Sequence, residues 1–386
     1  MGSLYDDGLA LLKSRGIEFL DVFVPSMMCS YACHVLNLEN HRRGFYKEYN
    51  NIPDLRLQVL LVAPPGFGKS FIMKNLMHET YGLLNTGFIP LRFEGYATEA
   101  GLIGSSERKG SQVIRIKGVF EEYSDGIIGV EEFFSISQAM NQTHSSHLEP
   151  ALNQALLDGD VRKRLRSGPI EYKTQVTMWA GTQTTRFQVG GGLLRRFFLV
   201  NWVPTTKDEN LMKIAQRKAM NLSIDPKYLK AYRSRVLNFT QDLKKIKSLT
   251  YSKDVVEVMD NVPHYRESVL RKFVLGYNLL NNPITTNFHV DMDSRLEGFI
   301  EESENCRRVL IGDPEGDMVL SIVREHNGKM LSKKLKEKLI DFSISFYTSN
   351  ALISKLIGRR DLVLMGDYIY TMDQFQKERK KRAKNT

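Results

Sequence analysis

Residues 57–70 read Leu57-Gln58-Val59-Leu60-Leu61-Val62-Ala63-Pro64-Pro65-Gly66-Phe67-Gly68-Lys69-Ser70. An apolar run of strand length enters a Pro/Gly turn and leaves it as Gly-Lys-Ser. Phe71-Ile72-Met73-Lys74-Asn75-Leu76-Met77 then has the composition of a helix. Strand, glycine turn, lysine, hydroxyl and helix form the context of a phosphate-binding loop. There, Pro65, Gly66, Phe67 and Gly68 bring backbone N–H groups to phosphate at a helix N-terminus. Lys69 reaches the β- and γ-phosphates, and the Ser70 hydroxyl holds Mg²⁺. Ala63 stands where such loops usually begin with glycine, and it is small enough to leave the motif intact.

A nucleotide site of this kind needs acids on a second strand. Ser124-Asp125-Gly126-Ile127-Ile128-Gly129-Val130-Glu131-Glu132-Phe133 supplies them, about 60 residues beyond Lys69. It reads as a short buried strand ending in two carboxylates. Glu131 is placed to orient Mg²⁺, and Glu132 to polarise the attacking water. An exposed acidic turn would show the same two residues without the buried strand before them.

Around these two motifs, residues 57–203 alternate strand and helix patterns, which predicts an α/β fold with a mostly parallel sheet. A strand is expected near 88–93, an interruption at 98–104 and a hairpin arm at 112–120. A helix is expected over 149–157. Val161-Arg162-Lys163-Arg164-Leu165-Arg166-Ser167-Gly168-Pro169-Ile170-Glu171-Tyr172-Lys173 reads as a β-hairpin turned at Ser167-Gly168-Pro169. Arg162, Lys163, Arg164 and Arg166 give one arm the charge for DNA phosphates, though a solvated basic hairpin has the same pattern. Residues 175–184 form another core strand, with Thr182 and Gln183 at its end to polarise a phosphate or water. Gly190-Gly191-Gly192 leads to Arg195-Arg196 before an apolar strand. That arginine pair is either structural or an arginine finger for a neighbouring subunit.

Helices are expected before the loop, around Leu9 to Ile17 and over 27–38, with a break at Asn51, Pro53 and Asp54. Residues 205–281 read as helices over 207–220, 226–248, 253–260 and 264–280, a lid over the nucleotide, closed by Asn281-Asn282-Pro283. Residues 284–314 read as a connector with one helix over 296–310. Residues 315–373 carry three helices, over 315–326, 331–342 and 345–357, and a hairpin turned at Gly366-Asp367. This is the pattern of a winged helix-turn-helix. Tyr347, Asn350, Ser354 and Lys355 of its third helix would face a DNA groove, with Arg359 and Arg360 at the base of the wing. Winged helices also serve protein contacts. The basic tail, 374–386, reads as disordered over Lys377 to Lys384, where it either binds phosphates weakly or is merely solvated. The domains are thus 1–204, 205–283, 284–314, 315–373 and 374–386.

Composition sets the setting. The chain has 386 residues, 42% of them hydrophobic, and a formal net charge of +10. That basic balance suits an acidic partner such as nucleic acid. Three cysteines are too few for a disulfide framework. Cys29, Cys33 and His34 cluster without a second ligand pair, which favours a buried helical group over zinc. No apolar run has membrane-spanning length and the acidic N-terminus is no secretory signal, so a cytoplasmic, reducing compartment is expected.

The order of these pieces resembles the AAA+ ATPase module of the minichromosome maintenance (MCM) helicases, over roughly residues 20–281 and on to the C-terminal winged helix. Leu60 to Lys74 is similar to the family's Walker A segment, and Thr98 to Gly104 to the start of its helix-2 insert. Lys117-Gly118-Val119-Phe120 through Glu132-Phe133 resembles the stretch into Walker B, with Glu131 in place of Asp. Val161 to Lys173 takes the place of the presensor-1 hairpin that touches DNA inside the ring. Ala180-Gly181-Thr182-Gln183 is similar to the sensor-1 segment, with Gln183, or else Thr182, in place of Asn. Leu194-Arg195-Arg196-Phe197 resembles the arginine-finger segment, with Arg196 in register. His264 to Phe273 resembles the sensor-2 helix, leaving Arg266, Arg271 or His264 as the sensor. About 50 residues precede the loop, so the family's N-terminal DNA-binding region is expected to be absent. The resemblance implies an ATP- and Mg²⁺-dependent translocase or helicase, self-associated as a hexameric ring around DNA. A sequence-specific DNA-binding initiator or regulator that uses ATP as an assembly switch is the alternative.

Overall fold

The computed structural model describes residues 3–15, 23–43, 54–95, 98–133, 136, 148–165, 168–183, 191–202, 210–214, 217, 226–260, 262, 264–311, 314–341, 346–358 and 360–383. The chain packs as two compact units. One holds Met1–Ser252 with Ser268–Leu310, the other Lys253–Glu267 with Ile311–Thr386.

The first unit is built on β1 (Gln58–Val62), β2 (Leu91–Glu94), β3 (Gly104–Lys109), β4 (Gln112–Lys117), β5 (Ile127–Val130), β6 (Asp160–Leu165), β7 (Gly168–Lys173), β8 (Thr177–Thr182) and β9 (Phe197–Asn201). Five of these form a parallel sheet in the order β2-β5-β8-β1-β9. Every residue of β1, β5 and β8 is buried. Strands covered on both faces need continuous apolar runs, which is why these segments read as core. Both expected hairpins form antiparallel pairs, β3 with β4 and β6 with β7. The α/β parallel-sheet expectation holds for the described residues.

Several elements depart from their sequence patterns. The helix expected over 149–157 runs Leu148–Asn153 and widens into a π-turn, Gln154–Asp158. A buried arginine explains the widening. Arg56 Nη1 donates to Ala155 O at 2.9 Å and Val176 O at 3.1 Å, and Nη2 to Leu157 O at 2.9 Å. Gln58 Nε2 donates to the carbonyl between them, Leu156 O, at 3.3 Å. Carbonyls taken up by these side chains are released from the regular ladder. Arg56 Nε also pairs with Asp54 at 2.8 Å, and Lys272 stands 3.7 Å from the same carboxylate. Burial alone would raise the Asp54 carboxyl, but Arg56 and Lys272 outweigh it and hold it below its ordinary value.

The helix expected over 226–248 stops at Asp242, after which Leu243–Lys245 forms a 3₁₀ turn. The next residues form β10 (Ser248–Tyr251), parallel to β11 (Asn287–Val290). The connector expected over 284–314 therefore carries a strand in addition to its expected helix, which runs Ser294–Ile311. Both strands are four residues long, too short to show a period. The helix expected over 207–220 lies largely outside the described residues.

In the second unit, helices Pro314–Glu325, Ser332–Asp341 and Phe346–Gly358 pack on a three-stranded antiparallel sheet. Its strands are β12 (Lys329–Leu331), β13 (Leu362–Met365) and β14 (Tyr368–Thr371), in the order β12-β14-β13. The tail expected to be disordered is instead a helix, Met372–Ala383, tied back by Phe375 against Tyr370 with ring centroids 6.2 Å apart.

Candidate nucleotide site

The loop after β1 lies at the carboxyl end of the sheet. β1 and the acid-bearing β5 are not neighbours, because β8 runs between them. Residues after β8 therefore fall between the phosphate-type loop and the two acids. Open α/β sheets bind ligands in the crevice beyond such strand ends.

Gly66 and Gly68 have φ of 82° and 77°, so the turn needs glycine at both places. Gly68 caps the helix Lys69–Met77, whose first N–H groups face the loop. Phe67 packs edge-on against Trp202 at 5.6 Å, and Trp202 against Phe23 at 5.9 Å, which fixes the loop's flank. Lys69 is only 8% exposed and donates from Nζ to Ala63 O at 2.7 Å and Pro64 O at 3.0 Å. Burial lowers its pKa; the charges of Glu132 and Glu131 oppose the shift.

Ser70 Oγ donates to Glu131 Oε1 at 2.8 Å, and Gln183 Nε2 donates to Glu132 Oε2 at 3.1 Å. The loop, the second strand and the intervening strand thus meet through two direct side-chain bonds. Hard oxygens from Ser70 and Glu131 suit Mg²⁺, which takes few protein ligands and shares the rest with water and phosphate. Among the described residues, no group of three or more His, Cys, Asp or Glu is placed to hold a metal ion. His34 is occupied otherwise. Its Nε2 donates to Asp125 O at 3.1 Å, and its Nδ1 takes the Thr177 hydroxyl at 2.8 Å. Burial pushes its pKa down to about 4, so it is neutral. Cys33 donates to Lys272 O.

Gly181 is a site residue that the sequence did not single out. A Cβ there would lie 2.8 Å from Glu131 O and 3.3 Å from Met73 Cε. The available signal was a glycine inside an apolar strand, which marks close backbone approach.

Arg196 lies elsewhere. It precedes Phe197, which pairs with Gln58 at the opposite end of β1 from the loop. Its Nε and Nη1 are buried without a hydrogen-bond partner among the described residues. Burial, then repulsion from Arg195, lowers its pKa, while Asp158 and Glu149 oppose. Arg271 stands over the Tyr251 ring at 5.5 Å in the first unit, and Arg266 is fully buried in the second.

The basic hairpin is less uniformly cationic than its sequence. Alternation puts Val161 and Lys163 inward, Arg162 and Arg164 outward. Lys163 pairs with Glu99 at 2.5 Å with only 11% of its side chain exposed. Arg162 pairs with Asp160 at 2.6 Å but remains exposed, as does Arg164. Arg166 lies outside the described residues. Arg115 Nη2 bonds Glu171 O at 3.1 Å, joining the β3–β4 hairpin to this one.

In the second unit, Arg360 Nη1 donates to Asp260 O at 2.5 Å and Val262 O at 3.4 Å. This guanidinium closes the end of the helix Lys253–Asp260, so its donors are directed at backbone rather than at a groove. Asn350 is half-buried and Ser354 exposed. Arg359 and the side chains of Tyr347 and Lys355 lie outside the described residues.

The chain matches no protein-family model, and no curated protein sequence matches it. No helix among the described residues is long and apolar enough to cross a membrane.

Proposed function

We propose that the chain is a cytoplasmic, Mg²⁺-dependent ATPase of the AAA+ type that works on DNA as a ring, a hexamer in the manner of the MCM helicases. One observation carries this: Ser70–Glu131 and Gln183–Glu132 are joined directly, at the carboxyl ends of three adjacent parallel strands, beside Lys69. Lys69 exchanges its two carbonyl partners for β- and γ-phosphate oxygens, and helix N–H groups take the remaining phosphate charge. Bound through Ser70 and Glu131, Mg²⁺ would offset charge on the phosphates. Glu132 accepts a proton from the attacking water, and Gln183 fixes the carboxylate that does so.

Arg196 is too far along β1 to serve its own loop. Arg196 is half-buried, and its Nε and Nη1 have no hydrogen-bond partner among the described residues, so the guanidinium is not committed to its own fold and acts as a finger in the neighbour's site. Arg162 and Arg164 face outward from the hairpin and carry the DNA contact, while Lys163–Glu99 anchors it. Three helices and a small antiparallel sheet support a winged helix for the second unit.

The test is ATP turnover and forked-DNA strand separation by the full chain. Both are expected in the wild type and lost in Lys69→Ala. Robust unwinding by Lys69→Ala would overturn the proposal.

A further inference from the structure

The helix Met372–Ala383 is Met372-Asp373-Gln374-Phe375-Gln376-Lys377-Glu378-Arg379-Lys380-Lys381-Arg382-Ala383, with five cations against two acids. One side of it is committed to the fold. Phe375 packs edge-on to Tyr370, Met372 N donates to Asp361 O at 3.3 Å, and Gln374 lies against Gly328. Glu378 is drawn inward to Lys329 Nζ at 3.4 Å. Lys377, Arg379, Lys380 and Lys381 remain exposed, with the nearest acid in their run diverted. Lys377 and Lys381 stand one turn apart, about 6 Å along the axis. Like charges at this spacing destabilise a helix. The fold thus holds a self-repelling cationic face on a docked helix.

We propose that this face binds the phosphodiester backbone of a nucleic acid. An acidic membrane surface fits less well. A helix lying in the interface needs an apolar face for the bilayer, and the Phe375 side here is used against the sheet. A protein partner fits less well too. Interface centres are depleted in lysine and favour aromatic anchors, and the exposed residues of the last two turns, Lys377, Arg379, Lys380 and Lys381, are all cations, with Asp373 one turn earlier as the exposed acid. Phosphate contacts need charge at tolerant geometry, which is what the face supplies. This site goes beyond the proposed ATPase and does not depend on it.

The test uses the full chain without nucleotide, so failure of the ATPase proposal would leave it standing. Anisotropy of a labelled duplex and of the matching single strand is followed across a salt series. Glutamine at Lys377, Lys380 and Lys381 keeps helix propensity while removing charge; arginine at the same three positions keeps the charge. The slope of log K against log salt should fall by about 2.7 on duplex and about 2.1 on single strand for the glutamine variant. The larger of the two relative losses identifies the preferred form, and the arginine variant should retain the wild-type slope. Unchanged slopes on both nucleic acids in the glutamine variant would overturn the proposal. So would a glutamine variant that, in a parallel sedimentation assay, loses binding to phosphatidylserine vesicles while both nucleic-acid slopes stay at the wild-type value.

Discussion

Two inactive proteins should restore each other if Arg196 serves a neighbouring subunit. Arg196 is level with Leu57 on the paired strand, and the loop begins at Ala63. Six residues of strand separate them, about 20 Å at 3.3 Å per residue, far beyond the reach of a guanidinium. Within one subunit the two groups cannot share a phosphate. Lys69→Ala removes the pocket and leaves the finger; Arg196→Ala leaves the pocket and removes the finger. Loss of a finger costs about 10³–10⁵ in rate, so each variant alone should be close to silent. In a freely exchanging equal mixture, about one interface in four joins an intact pocket to an intact finger across the head-to-tail contact of a ring. Mixing should therefore raise turnover from near background to roughly a quarter of wild type, as read by phosphate release. An equal mixture no more active than its parts, with subunit exchange shown by fluorescence transfer, would refute a finger acting between subunits.

Other consequences concern the scaffold. Arg56→Met should destabilise the first unit by about 3–5 kcal/mol, because it strands buried carbonyls and the Asp54 carboxylate. Both tryptophans, Trp179 and Trp202, belong to that unit, so a urea titration followed by tryptophan fluorescence reads it; a shift under about 1 kcal/mol would contradict the network. His34 is held near 4 when folded and titrates near 6.5 when unfolded. The unfolded chain thus binds the extra proton between these values, so stability is full above 6.5 and falls with pH by about 3 kcal/mol on approaching 4. His34→Asn should lack that component in a pH series of urea midpoints; an identical pH dependence would contradict it.

The centre of the fold was open to sequence because its signals are local. Val59 to Ser70 carries its strand, turn and helix within one stretch, and Ile127 to Glu132 announces a buried strand ending in acids. The hairpin at 160–173 was legible from alternation and turn residues. What escaped depends on partners far apart in the chain. The π-turn at 154–158 exists because Arg56, about a hundred residues earlier, takes its carbonyls. Lys163 counts as one more cation in the sequence, yet Glu99 neutralises it. Arg360 is spent on the end of a helix a hundred residues away. The strands at 248–251 and 287–290 are each too short to show a period, and pairing across the chain makes them strands.

The most direct measurement is nucleotide binding and turnover by Glu132→Gln beside the wild type. The glutamine keeps the shape of the side chain and removes the proton acceptor. General-base assistance contributes typically 10²–10⁴-fold, so turnover should fall by about that much while Mg²⁺-ATP still binds as in the wild type. Wild-type turnover by Glu132→Gln would contradict a hydrolytic site built on this residue, and so would a wild-type protein that binds no ATP.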